Sequence, residues 1–501
     1  MAVTDRQILT IIDPDIADKN RGSGKILLET LSIEDTEDEK GLDTPNPKAK
    51  DSSEKGSQIP YIKINTNRIS NSDLISFSLD VSDFLPRLKV VFSDSDDKFK
   101  NMDFPKDGDV ISVYIRPMDL GQQKKIRCDF DILSTNVSPG SESEPAIFNF
   151  NGILRVPGLF SESIEGFSKD TCFNHLSKVC EDVGVGFASN VESTEDSMTR
   201  LRASETRSKF IKDSTGSSWK DENSFFTSFI DPWYYLCFVN VNSQFSEEFE
   251  LEQGPTNMTS PGNFRPGDQP DKPLGEGDIF FTNSPESKGN DNYITRLALK
   301  NDSASVWMSE GYKRYAQHFE LDSFEFISEF VDPLVTLGSE KDFILPKGKP
   351  NDNFYETQNK FKYLGKQETD SDSNDGNVHL NYSYAKIHNY QNMREISKMK
   401  ISIELESTNF NIYRYQRVPL DIYSGNSIQS QLIAKKDEFI GEEGVGTEQV
   451  AEPQSMYRND FLSGFYVIDS YSYSYKQGDR LRQKLTMVRR EWPIPAESLD
   501  D

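Results

Sequence analysis

Four histidines, four cysteines and 82 acidic residues are the material for chemistry in this 501-residue chain. A metal site would draw on His175, His318, His379 and His388, of which only His379 and His388 share a segment. These two stand nine residues apart, a spacing that matches no usual ligand set, and HEXXH is missing. We expect no metal and read the histidines as polar residues at strand ends. Cys128, Cys172, Cys180 and Cys237 form no CxxC and have no pattern tying them to a histidine, so they read as small buried side chains. A nucleophile elbow of the GxSxG type is also missing. Two carboxylates about 5–10 Å apart could hydrolyse a glycoside, but where acidic residues are this numerous a pair proves nothing. The runs at 94–97 (DSDD) and 370–375 (DSDSND) are similar in composition to calcium loops, yet neither continues with the Gly and terminal Glu of that motif. We therefore expect no catalytic, cofactor-binding or metal residues, no cofactor, and no enzyme activity.

The charge balance narrows the partners. A formal net charge of −26 repels a phosphate backbone, which rules against nonspecific DNA or RNA binding. Apolar runs are short, mean hydropathy is −0.65, and the first ten residues have neither a basic start nor an apolar stretch. We expect neither membrane insertion nor a signal peptide, and hence a protein made and kept in a cytoplasm unless another route exports it.

Alternation of apolar and polar residues gives the elements. Three strand signals run in succession at 109–116 (DVISVYIR), 127–137 (RCDFDILSTNV) and 146–156 (AIFNFNGILRV), bounded by Gly, Pro or Ser clusters. The same order returns at 417–423 (RVPLDIY), 463–475 (SGFYVIDSYSYSY) and 481–490 (LRQKLTMVRR). We read this as an internal duplication, carried by pattern and spacing rather than by identities. In the first copy Ile111, Val113 and Ile115 should share one face and Tyr114 and Arg116 the other. Likewise Tyr471, Tyr473 and Tyr475 should lie on one face, where packing or a protein interface accounts for them.

Between the copies the period changes. At 173–183 an apolar stripe of Phe173, Leu176, Val179, Cys180 and Val183 predicts one amphipathic helix, with Asp170 or Thr171 as N-cap and Gly184 as C-cap. Phe225, Phe226, Phe229 and Ile230 read as a helical cluster, followed by a buried strand at 234–241, with Trp219 and Trp233 in a core or domain interface. The resulting division is an acidic arm at 1–58, a first barrel at 59–158, a small α+β domain at 159–252 and a Gly/Pro-rich insertion or loop at 253–292. A β-rich intervening domain at 293–390, a second barrel at 391–495 and a tail at 496–501 complete it. Lacking aromatic residues, the arm reads as a disordered tail, or as a segment that orders against a partner through Ile8 to Ile12. A further acidic insertion occupies 435–453.

The order of these elements resembles a known family. The stretches LISFSLDVSDFLPRLKVVFSD (74–94), GDVISVYIRP (108–117) and CDFDILS (128–134), then FNHLSKVCEDVGVGF and a closing LTMVRREWP (485–493), look like the baseplate central hub proteins of contractile-tailed phages. VgrG-type spike proteins of bacterial secretion machines share that architecture. The similarity covers roughly 59–495, and the acidic arm and the insertions at 253–292 and 435–453 depart from it. It implies a mainly β fold with α+β insertions, built on two tube-protein-like β-barrels. It also implies a virion component of the tail baseplate, made in the host cytoplasm. There a homotrimer would join a hexameric tail tube protein to a trimeric central spike protein, alongside other baseplate proteins. The two insertions would then lie outside the ring or toward the spike. The alternative is a polysaccharide-active or glycan-binding β-rich surface protein, favoured by tyrosine density at 382–390, 413–415 and 471–475.

Overall fold

A computed structural model describes residues 59–65, 67–101, 105, 108–115, 126–138, 140, 144–245, 281–284, 288, 293–302, 313–320, 324–331, 356–362, 367–368, 377–406, 408–410, 412–424, 457–459 and 462–489, together with a two-residue strand, β1 (Thr10–Ile11). The rest of the arm, most of 253–292, all of 435–453 and the acidic run at 370–375 lie outside the described residues, as does most of the strand signal at 331–337.

The first sheet contains β2 (Tyr61–Ile64), β3 (Asn67–Arg68), β4 (Leu74–Val81), β5 (Arg87–Asp94), β6 (Val110–Ile115), β7 (Ile126–Ser138) and β8 (Ala146–Leu154). Alternation does here what it should: Ile111, Val113 and Ile115 are buried while Tyr114 is half-buried. The rings of Phe92, Phe148 and Phe150 stack at centroid distances of 5.3–6.0 Å under the sheet. Neighbour order is β4-β5-β8-β7-β6-β2, every pair antiparallel.

A mixed unit follows, with β9 (Glu162–Asp170), α1 (Cys172–Val183), β10 (Gly186–Ser189), β11 (Met198–Thr206), α2 (Arg207–Gly216), β12 (Phe226–Ile230) and β13 (Tyr235–Asn240). Helix α1 has the caps that its sequence announces: the Thr171 side chain accepts from Asn174 N, and Gly184, at φ 79°, turns the chain out. The Phe225–Ile230 stretch is a strand and not the helical turn expected above. Its apolar residues crowd at helix-like spacing because β12 pairs edge to edge with β13 and is buried on both faces, with Phe226 and Ile230 in one core cluster, Phe225 and Phe229 in another, and α2 packed against it. Strand β1 pairs antiparallel with β10, Thr10 opposite Ser189 and Ile11 opposite Ala188, which places these two residues of the expected anchor run against this unit.

The remaining strands are β14 (Phe281–Thr282), β15 (Ile294–Asn301), β16 (Lys313–Glu320), β17 (Glu325–Val331), β18 (Glu356–Lys362), β19 (Met399–Leu405), β20 (Arg417–Asp421), β21 (Tyr423–Ser424), β22 (Tyr457–Arg458), β23 (Gly464–Lys476) and β24 (Arg482–Val488). Strands β16 to β18 make a separate three-stranded sheet. A helix, α3 (Tyr382–Ile396), precedes β19. The second half of the same 13-stranded sheet runs β15-β19-β24-β23, with β20 also on β23, each of these pairs again antiparallel. Its first strand comes from 293–390, so this half draws on that segment as well as on 391–495. Among the described residues no helix is long and apolar enough to cross a membrane.

Candidate functional site

Strand order and register make the duplication concrete. The orders β4-β5-β8-β7-β6 and β15-β19-β24-β23-β20 are the same path through the two halves of one 13-stranded sheet. Both copies carry an extra residue at two places where the partner strand has none. In the first copy Ile75 is extra on β4 and Leu133 on β7. In the second, Thr295 is extra on β15 and Asp469 on β23. Aligning these bulges sets Leu79 against Leu299, Leu88 against Ile401, Phe130 against Tyr466 and Ile111 against Val418, and every cross-strand pair then agrees between the copies. Bulges fix twist and register, so two shared bulges specify two half-sheets of one shape.

The copies join through one seam. The outer edge of β4 pairs antiparallel with the second half of β23: Val81 faces Tyr471, Leu79 faces Tyr473 and Phe77 faces Tyr475. All six of these side chains are buried, with Leu79 and Tyr473 at 0% exposure. The three tyrosines share one strand face, as their alternation requires, and form packing rather than an open aromatic cleft. Arg414 reinforces the seam: its Nη1 donates to Asp83 O at 2.9 Å and its Nε to Asp469 O at 2.6 Å, so one buried guanidinium holds the first copy and the bulge of the second. Its plane also lies 4.7 Å from the Phe229 ring centroid.

Two sheet edges stay open among the described residues. Beyond the single bridge of the preceding Tyr293 to Thr282 of β14, the outer edge of β15, equivalent to the β4 edge, pairs with no described strand, and Leu299 there is 42% exposed. The second half of β7, equivalent to the part of β23 that receives β4, has β8 on one side and no described strand on the other.

His175, His379 and His388 are each held by structural contacts. His175 lies on α1, where its Nδ1 accepts from Arg200 Nη1 at 3.0 Å and its Nε2 donates to Ser168 O at 2.8 Å, a neutral tautomer. Burial, first, holds its pKa below the ordinary value. His379 Nε2 donates to Ser217 O at 3.0 Å, and His388 Nδ1 stands 3.2 Å from Asn392 Nδ2. Burial lowers both pKa values to about 4. These two rings precede or sit within α3, so the strand-end reading of the histidines is corrected: Trp219 packs edge-on against Tyr384 and His388 of this helix, at 5.3 and 5.8 Å between centroids. The expected core place of Trp219 holds. His318 lies in β16.

All four cysteines are buried and free. Burial raises the thiols of Cys128 and Cys180 well above the usual range and that of Cys172 to about 12, which removes the thiolate that nucleophilic attack needs. Among the described residues no three His, Cys, Asp or Glu side chains are placed to hold a metal ion. Asn389, which sequence reasoning passed over, ties the helices together: its side chain accepts from Phe226 N at 3.0 Å and donates to Ser218 O at 2.8 Å. Only its place on a helix could have revealed it.

No protein-family model and no curated protein sequence matches the chain. Solved structures do. The tail protein from Neisseria meningitidis aligns at 9% identity over 87% of this chain and 97% of its own, with a TM-score of 0.45. The 43 kDa tail protein of prophage MuSo2 from Shewanella oneidensis aligns at 11% identity over 87% and 99%, also at 0.45. A Francisella PdpA–VgrG complex structure aligns at 9% identity over 87% of this chain and 58% of that one, at 0.42.

Proposed function

We propose that this chain is a structural subunit of a contractile tail or a related injection machine, a homotrimeric hub that adapts a sixfold tube to a threefold spike. The observation that carries the reading is the pair of half-sheets with one path, one register and two shared bulges. A single chain thereby offers the same surface twice. Three chains offer it six times around one axis, which meets a hexameric tail tube protein on one side and leaves threefold symmetry for a central spike and other baseplate proteins on the other. Such a role needs no reacting group, in keeping with the buried places of His175, His379, His388 and the four cysteines. The virion tail would be its working location. Mixing the purified chain with purified tube protein tests the role: co-sedimentation of three hub chains per ring of six tube subunits is expected, and failure of a correctly folded trimer to bind the tube would contradict it.

The polysaccharide-active alternative loses part of its support, because Tyr413, Tyr415, Tyr471, Tyr473 and Tyr475 are buried instead of lining a cleft, whereas Tyr390 is exposed.

A further inference from the structure

The seam inside the chain is a template for a contact that the chain can make only with another copy of itself. Repeat one gives the outer edge of its first strand, β4, to the long strand of repeat two, β23. Repeat two has the same first strand, β15, with its outer edge open among the described residues. Repeat one has the same long strand, β7, with the receiving half open likewise.

We propose that β15 of one copy pairs antiparallel with the second half of β7 of the next, in the register of the internal seam. Carrying the seam across by the bulge alignment puts Leu299 opposite Val137, Ala298 opposite Ser138 and Lys300 opposite Asn136.

The side chains support that register. Leu299 faces the core side of its half-sheet, since its cross-strand partner is the buried Ile401. Val137 faces the core side of the other, opposite the buried Phe148. The proposed pairing brings these two faces level, as Leu79 and Tyr473 are level in the seam. Exposure shows what is missing: Leu79 is 0% exposed and its equivalent Leu299 is 42%. An apolar residue aimed coreward on an uncovered edge is what a further strand would bury. Arg296, Ala298 and Lys300 alternate to the opposite face, where the cations discourage unregistered stacking of edges. The contact is head-to-tail, so it propagates around a ring and leaves no copy unpaired once the ring closes.

From the proposed function this inference takes only that copies assemble, and the test separates the two. Leu299→Cys and Val137→Cys are combined in one chain, with Leu299→Cys/Thr135→Cys and each single variant as controls. The native thiols are buried and remain silent. Opposed cross-strand Cβ atoms lie about 4.5–5.5 Å apart and diagonal ones up to about 7–8 Å, so mild oxidation should link the first pair about tenfold faster than the second. Chains joined in a closed series are expected, with no link in either single variant. Leu299→Cys dimers, or equal linking of both pairs, would overturn the register. In the unsubstituted protein, amides at 296–300 and 135–138 should exchange more slowly in the assembled than in the dissociated state, and equal exchange would overturn the pairing. A trimer without the 299–137 link sinks the pairing and spares the hub reading. Linked rings of another size do the reverse, and a chain that stays monomeric without links removes both.

Discussion

Arg414 donates from Nη1 to the backbone carbonyl of Asp83 at 2.9 Å, which places a side chain of the second repeat on the turn between β4 and β5 of the first. Because the same guanidinium also holds Asp469 O, it sets the β4 edge and the bulge of β23 at one distance. The two repeats are thus fixed as a rigid pair, a condition for presenting equivalent surfaces.

Replacing Arg414 with Ala should destabilise the chain by about 1–3 kcal/mol, since two charge-assisted hydrogen bonds to part-buried carbonyls are lost. Arg414→Lys should recover only part of this, because an ammonium cannot span both acceptors in one plane. Chemical denaturation of the three proteins checks the order; equal stability would show that the contact contributes nothing.

Leu79 and Leu299 occupy equivalent positions in unequal surroundings, so the same substitution should have unequal cost. Leu79→Ala should lose about 2–5 kcal/mol through its cavity, whereas Leu299→Ala in the dissociated chain should lose less than about 1 kcal/mol. Similar losses at both sites would mean that the outer edge of β15 is covered within the chain.

The legible part of this fold was the meander. Strands β6, β7 and β8 follow one another directly and alternate, and their echoes β20, β23 and β24 keep the same order around the insertion at 435–453, so pattern alone relates them. The equivalence of β4 and β5 with β15 and β19 was hidden, because β15 and β19 are separated by the three-stranded sheet and α3, and long-range pairing leaves no local trace. Helix α3 was illegible for another reason. Its buried positions include Ser383, His388, Asn389, Gln391, Asn392 and Glu395, so no apolar stripe marks it. The seam was half visible: alternation put the three tyrosines on one face without saying what would cover them.

His379 gives the fold a defined acid limb. Burial lowers its folded pKa to about 4 from an ordinary value of 6.5, and the nearby Arg200 and Lys386 push the same way while Asp196 opposes them. A depressed histidine favours the neutral form, so its contribution is complete above about pH 6.5 and is lost as pH falls toward 4, worth about 3 kcal/mol at the end. Stability of His379→Gln should therefore fall less steeply over that window. Parallel curves for the two proteins would show that the ring is not held neutral.

The four thiols should resist a disulfide reagent at pH 8 in the native protein and react fully once it is unfolded. Rapid reaction of Cys128, Cys172 or Cys180 before unfolding would mean that the core around them opens.

Mass in solution, by sedimentation or native mass spectrometry, tests the hub account most directly. The account predicts a particle of three times the 57.1 kDa chain, favoured by raised salt because screening over about 10 Å at 0.1 M weakens repulsion among chains of net charge −26. A chain that remains a monomer or closes as a twofold dimer at every salt concentration would contradict it.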